Sequence, residues 1–110
     1  MKYLGFTETS RFVRRVQSRL GDDELARLQW YLCQHPDDGD IIPGAQGLRK
    51  LRWLASGRGK RGGARVIYYW AVSNERILLL DIYTKNEKSD LSRTEIGNLR
   101  QDVERWLESL

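Results

Sequence analysis

The sequence predicts an α+β fold. Two short helical patterns follow an aromatic opening segment, three strand patterns crowd the second half, and one amphipathic helix comes after them. Residues 2–7 read as the first strand. Thr9 or Ser10 can then cap a helix, because a side-chain oxygen accepts from the free N–H groups of a first turn. Phe12, Val13, Val16 and Leu20 recur at helical spacing, with Arg11, Arg14, Arg15 and Arg19 mostly on the other side. Gly21 ends this helix, and Asp22 is the expected cap of the next, whose positive end also favours Asp23 and Glu24. Leu25, Leu28 and Leu32 supply its buried stripe, broadened by Trp30 and Tyr31. Pro36 stops it, since a proline disfavours helical geometry in the residue before it.

Residues 37–47 carry three acids, Pro43 and three glycines, and read as a loop. Residues 47–54 form the expected second strand, 64–72 the third and 76–83 the fourth, with a tight turn at 73–75. Short connections make these three an antiparallel meander. The near-continuous apolar run RILLLDIY points to a central strand covered on both faces. Ser92 and Glu95 have capping-box spacing, and Ile96, Leu99, Val103, Trp106 and Leu107 share one face of the final helix. The expected order is βααβββα, an antiparallel sheet core with helices packed on it.

A chain of 110 residues, 40% hydrophobic with four Trp, has enough apolar material for one modest core, so residues 1–110 are read as a single domain. The lone Cys33 cannot form an internal disulfide, and no Cys/His cluster has zinc-binding spacing, which together point to the cytoplasm and to no metal. No apolar run approaches the roughly 20 residues that span a bilayer, so no membrane is expected. The opening residues lack the long apolar stretch of a secretory signal. His35, immediately before Pro36, reads as a helix-end residue. Asp37, Asp38 and Asp40 lack the spacing of a calcium loop and read as turn chemistry. No cofactor motif is present, and residues 56–63 lack the order of a nucleotide-binding P-loop.

The net charge of +4 is unevenly spread. Residues 49–65 hold seven cations, Arg49, Lys50, Arg52, Arg58, Lys60, Arg61 and Arg65, and no Asp or Glu. Gly57, Gly59, Gly62 and Gly63 interrupt the run. Closely spaced like charges repel one another until something negative arrives, so a polyanion is the natural counterpart. Period-2 geometry puts Lys50 and Arg52 on one face of the second strand and Arg49, Leu51 and Trp53 on the other. Arg65 begins the third strand on a face with Ile67 and Tyr69, and its planar fork suits phosphate. Residues 83–90 leave the fourth strand with Tyr83, Lys85 and Lys88. The lysines add positive field, while Tyr83 can stack on a base or donate a proton. In the plainer reading, Tyr83 is a rim aromatic and Glu87 and Asp90 tether the lysines.

The stretches GLRKLRW, GGARVIYY and YTKNEKSDL, in this order and with the βααβββα pattern around them, closely resemble the RelE/ParE superfamily of toxin–antitoxin toxins, nearest its HigB-like branch. The resemblance implies a small toxin neutralised by a cognate antitoxin. RelE- and HigB-type members cut mRNA in the ribosomal decoding site, and ParE-type members inhibit DNA gyrase. It matches Arg65 to the arginine that stabilises the cleaved phosphate, Lys50 and Arg52 to the strand-two basic pair, and Lys85 to the basic segment after strand four. RelE has an arginine where this chain has Asn86 and a tyrosine near Ser92. Those roles then fall to Lys85, Lys88 or Tyr83, or to the ribosome. The expected catalytic set is Arg65, Lys50, Arg52, Lys85 and Tyr83. Arg49, Arg58, Lys60, Arg61 and Lys88 are expected to hold RNA. Lys50 is the candidate general base, since crowding by like charges disfavours an ammonium ion. Lys85 or Tyr83 is the candidate acid. A gyrase inhibitor and a non-catalytic RNA-binding module remain open as alternatives.

Overall fold

A computed structural model describes residues 4–54 and 63–110. The elements run β1 (Gly5–Glu8), α1 (Ser10–Arg19), α2 (Asp22–Gln34), β2 (Asp40–Ile41), β3 (Arg49–Trp53), β4 (Ala64–Ala71), a 3-10 turn (Val72–Asn74), β5 (Arg76–Thr84) and α3 (Arg93–Glu108). They build one five-stranded sheet in the order β1-β5-β4-β3-β2. β2 through β5 pair antiparallel, as the short connections require. β1 lies parallel to β5 at one edge, from Gly5 opposite Arg76 to Glu8 opposite Leu79.

Helices cover both faces of the sheet. On one, Phe12 and Val16 of α1 and Leu28 and Leu32 of α2 pack on Leu51, Val66, Tyr68, Ile77, Leu79 and Ile82. On the other, Leu99 and Val103 of α3 pack on Leu48, Ile67, Leu78, Leu80 and Tyr83. β5 contributes to both clusters, which is why its sequence shows no alternation. Each fully buried Leu or Ile here stabilises the fold by roughly 2 kcal/mol relative to exposure.

The α+β class and the central place of β5 agree with the sequence reading; several local expectations do not. The 37–47 segment contains the short strand β2, so the order is βααββββα. Asp22 is the first residue of α2 and not its cap. Gly21 holds that place at φ +84 with no side-chain bond, a conformation that suits glycine. Thr9, of the two candidates, caps α1 by accepting from Phe12 N–H at 3.2 Å. Val13 and Trp30 point outward, leaving the buried stripes narrower than expected. The Ser92–Glu95 capping box forms as read.

Candidate functional site: a cationic sheet face

Residues paired across neighbouring strands point to the same side of a sheet, so the register decides which cations meet. Arg52 of β3 is opposite Arg65 of β4, and Arg65 is opposite Tyr83 of β5. Lys50 sits in the next row on the same face, opposite Ile67. Lys50, Arg52, Arg65 and Tyr83 therefore share the face that α3 covers, towards the end of the sheet where β5 leaves it. The alternation read from the sequence holds. Leu51 and Trp53 turn to the other face, where Trp53 Nε1 donates to Glu24 at 3.1 Å. Arg49 goes with them and donates to the carbonyls of Asp37 and Gly39 at 3.0 and 2.9 Å.

The segment after β5 brings carboxylates over this face. Asp90 Oδ1 stands 3.4 Å from Lys50 Nζ, so the acid-free run 49–65 is opposed by an acid from elsewhere in the chain. Lys88 lies over the Tyr83 ring, 5.4 Å from its centroid, and forms an ion pair with the capping-box Glu95. That pairing, with hydrogen bonds from the Ser92 backbone, holds the Glu95 carboxyl below its usual range. The expected tethering of Lys85 and Lys88 by Glu87 and Asp90 is therefore not what forms: Lys88 is held by Glu95, and Asp90 pairs with Lys50.

Glu87 instead binds Arg15 at 3.1 Å and Arg19, and accepts from the Thr84 N–H at 2.7 Å, stapling the 84–87 turn to α1. Bonding to Arg19, then to the Thr84 backbone, pulls its carboxyl down to about 2. A depressed folded-state pKa contributes stability that is fully present above the unfolded carboxylate range and lost as pH falls towards 2. Allowing for solvent screening at a partly exposed site, Glu87→Gln is expected to cost about 1–2 kcal/mol at pH 7. Denaturant melts at pH 7 and pH 2.5 check this, and the difference between the proteins should shrink at the lower pH.

Tyr83 is fully buried. It therefore floors the face, where a rim aromatic was expected, and presents no open ring to a base. Its hydroxyl is buried with no hydrogen-bond partner among the described residues. Burial first, and then the nearby Asp90 charge, push it up to about 12, while Arg65 acts in the opposite direction. Arg65 is half-buried, with Nη1 3.4 Å from the Gly63 carbonyl, and Arg52 is exposed. Lys85 is exposed on the turn after β5, outside the cross-strand row. Arg58, Lys60 and Arg61 lie outside the described residues. Lys50, Arg52 and Arg65 thus put ammonium and guanidinium groups on one face beside the protonated phenol of Tyr83, a set suited to a phosphate.

Among the described residues, no three His, Cys, Asp or Glu side chains are grouped to hold a metal ion. His35 caps the C-terminus of α2 beside the Tyr31 ring, as its place before Pro36 suggested. Also among the described residues, no helix is long and apolar enough to cross a membrane.

No protein-family model matches the sequence. Solved structures do resemble it. A chain of the intact Escherichia coli RelBE toxin–antitoxin complex superposes with a TM-score of 0.55 at 13% identity, covering 74% of this chain and 95% of that one. The E. coli toxin RelE, as an arginine-to-alanine mutant in the free state, gives 0.58 at 14% identity, covering 81% and 90%. The chain has a RelE-like fold. The cationic face belongs to this RelE-like sheet and is built from its β3, β4 and β5.

Of the residues singled out in the sequence, the fold brings Lys50, Arg52, Arg65 and Tyr83 onto one face, with Lys88 over the Tyr83 ring. Sequence reasoning missed Glu95 as the partner of Lys88, although the capping box had marked that residue as lying at a helix start.

Proposed function

We propose that the chain is the toxin of a toxin–antitoxin pair, of HigB-like type, and that it cuts messenger RNA on the ribosome. The convergence of Lys50, Arg52 and Arg65 on one face of a RelE-like sheet carries this reading. The two similar structures are described as a toxin and a toxin–antitoxin complex.

The ribose 2′-OH attacks its own 3′-phosphate, the bond to the 5′ oxygen breaks, and the products are a 2′,3′-cyclic phosphate and a free 5′-OH. The nucleophile is already attached to the substrate, so positioning and charge supply much of the rate. Arg65 clamps the phosphorane oxygens, with Arg52 beside it across the strand pair. Lys50 takes the 2′-OH proton as a neutral amine, after it has parted from Asp90 and released its own proton to solvent. The leaving oxygen takes a proton from the exposed Lys85, since the Tyr83 hydroxyl is buried beneath the face.

The cognate antitoxin is expected to use the other edge of the sheet. β1 pairs with β5 along one side only, so its second side can accept an added strand. A cavity beside it is lined by Arg11, Arg14 and Arg105 over Leu78 and Trp106, with Asp102 3.9 Å from Arg105 as its one acid, and the surplus of cations suits an acidic segment with an apolar anchor.

Mapping transcript ends after brief induction in cells tests the reading. New internal ends in messages, with intact chromosomal DNA, are expected. Intact messages with broken DNA would point instead to gyrase, and RNA binding with normal growth to a plain binding module.

A further inference from the structure

A second cationic feature lies off the sheet. Arg93 and Arg100 are seven residues apart on α3, two turns along one helix face, with Ile96 and Gly97 between them. Together with Pro43 and Gly44 of the loop before β3, these four residues line a cleft of about 400 Å3. Arg100 also borders a smaller chamber of about 140 Å3, lined by Ala45, Gln46, Tyr69, Val103, Glu104 and Leu107. No carboxylate lines the larger chamber, and the one acid in the smaller is Glu104. Neither arginine is in an ion pair among the described residues, and Arg100 Nε is buried without a hydrogen-bond partner.

Both walls are stripped of side chains at the middle. Gly44 has φ +71, which favours glycine, and an added Cβ there would meet nothing within 4 Å. Gly97 sits inside a helix, where glycine is costly, and an added Cβ there would also meet nothing within 4 Å. Packing therefore does not require glycine at position 97. A buried donor with no acceptor is expensive, and among the described residues the Arg100 side chain has no partner holding it away from an anion in the cleft. The cleft has the size of an ordinary small-ligand site, large enough for a phosphate with its sugar. Arg93 follows Asp90, the residue paired with Lys50, by three positions in the chain.

We propose that the Arg93–Gly97–Arg100 cleft is a second phosphodiester site, which holds a further phosphate of the messenger strand. This rests on the RNA-cutting reading and adds a positioning site to it. Its ligand is chemically the same as any RNA phosphate, ribosomal RNA included.

The test is a backbone-amide NMR titration of the purified protein with an uncuttable 2′-O-methyl oligonucleotide, repeated with an acidic peptide of equal charge. Perturbations at Gly44, Arg93, Gly97 and Arg100, as well as around Lys50 and Arg65, are expected with RNA. Gly97→Glu, which has room for its side chain, should weaken RNA binding about tenfold. Arg93→Ala should weaken it several-fold and reduce the salt dependence by about one charge. Perturbations confined to Lys50 and Arg65 would overturn the cleft and leave the cutting site standing. Perturbations in the cleft alone would support the cleft and count against the sheet face. Shifts in the cleft with the peptide only, or no shifts at all, would overturn it. On programmed ribosomes, a photo-crosslinker at position 93 should attach to messenger RNA; attachment to ribosomal RNA alone would overturn the messenger assignment.

Discussion

Arg65→Ala is expected to lose roughly 10²–10³-fold in the rate of cutting on programmed ribosomes, the usual loss when one donor to a transition-state oxyanion is removed. The fold should survive, because Arg65 is half-buried at the start of β4 and its flanking core residues Ala64 and Val66 are unchanged. Arg65→Lys should recover only part of the rate, since an ammonium restores charge without the two-pronged geometry. Arg52→Ala should cost less. It occupies the same cross-strand row but is exposed, so its charge is more screened by solvent. Single-turnover kinetics on one messenger, with circular dichroism as a check on folding, separate these effects. Wild-type cutting by Arg65→Ala would remove the phosphate clamp from the mechanism.

Gly39→Ala is expected to be strongly destabilising. Tyr68 is fully buried in β4, and its hydroxyl donates to the Pro36 carbonyl at 2.8 Å and accepts from Gly39 N–H at 2.9 Å. A Cβ on residue 39 would stand 2.7 Å from Tyr68 Cε1 and 2.8 Å from its hydroxyl oxygen. Overpacking and the loss of two buried hydrogen bonds together should cost about 2–4 kcal/mol. At this chain length that lowers the melting midpoint by roughly 10–20 °C. Tyr68→Phe removes the hydrogen bonds without the clash and should cost about 1–2 kcal/mol. The double variant should cost less than the sum, because removing the hydroxyl also removes one of the two close contacts. Strict additivity in thermal melts would mean that residues 36–39 are not fastened to the sheet through Tyr68.

Much of this architecture can be read from the residues because periodicity reports burial. β5 declares its central place by an unbroken apolar run, and α3 declares its start by a capping box. The alternation in β3 correctly separates Lys50 and Arg52 from Leu51 and Trp53. β2 escapes notice for the opposite reason: two residues cannot show a period, and Asp40–Ile41 is a strand only because Lys50 and Arg49 lie opposite it. The parallel pairing of β1 is likewise tertiary, set by how the chain crosses back over α1 and α2.

The site is legible in its cations and not in its balance of charge. A basic run with no acid looks unopposed, yet folding brings Asp90 to Lys50 and Glu95 to Lys88. Glu87 shows the same limit. It is adjacent to Lys88 in sequence, but its carboxylate binds Arg15 and Arg19 of α1. Nor does the sequence distinguish a rim tyrosine from a buried one at the end of a strand. Tyr83 is buried because α3 and the segment after β5 close over it.

The chemistry of the cut ends tests the central claim most directly. Purified protein and ribosomes programmed with a defined messenger would be mixed, and the fragments examined for their termini. Cleavage by the cationic face through the internal 2′-OH predicts upstream fragments ending in a 2′,3′-cyclic phosphate and downstream fragments beginning with a 5′-OH. Fragments carrying a 5′-phosphate and a 3′-OH, or no fragments from active, folded protein, would contradict it.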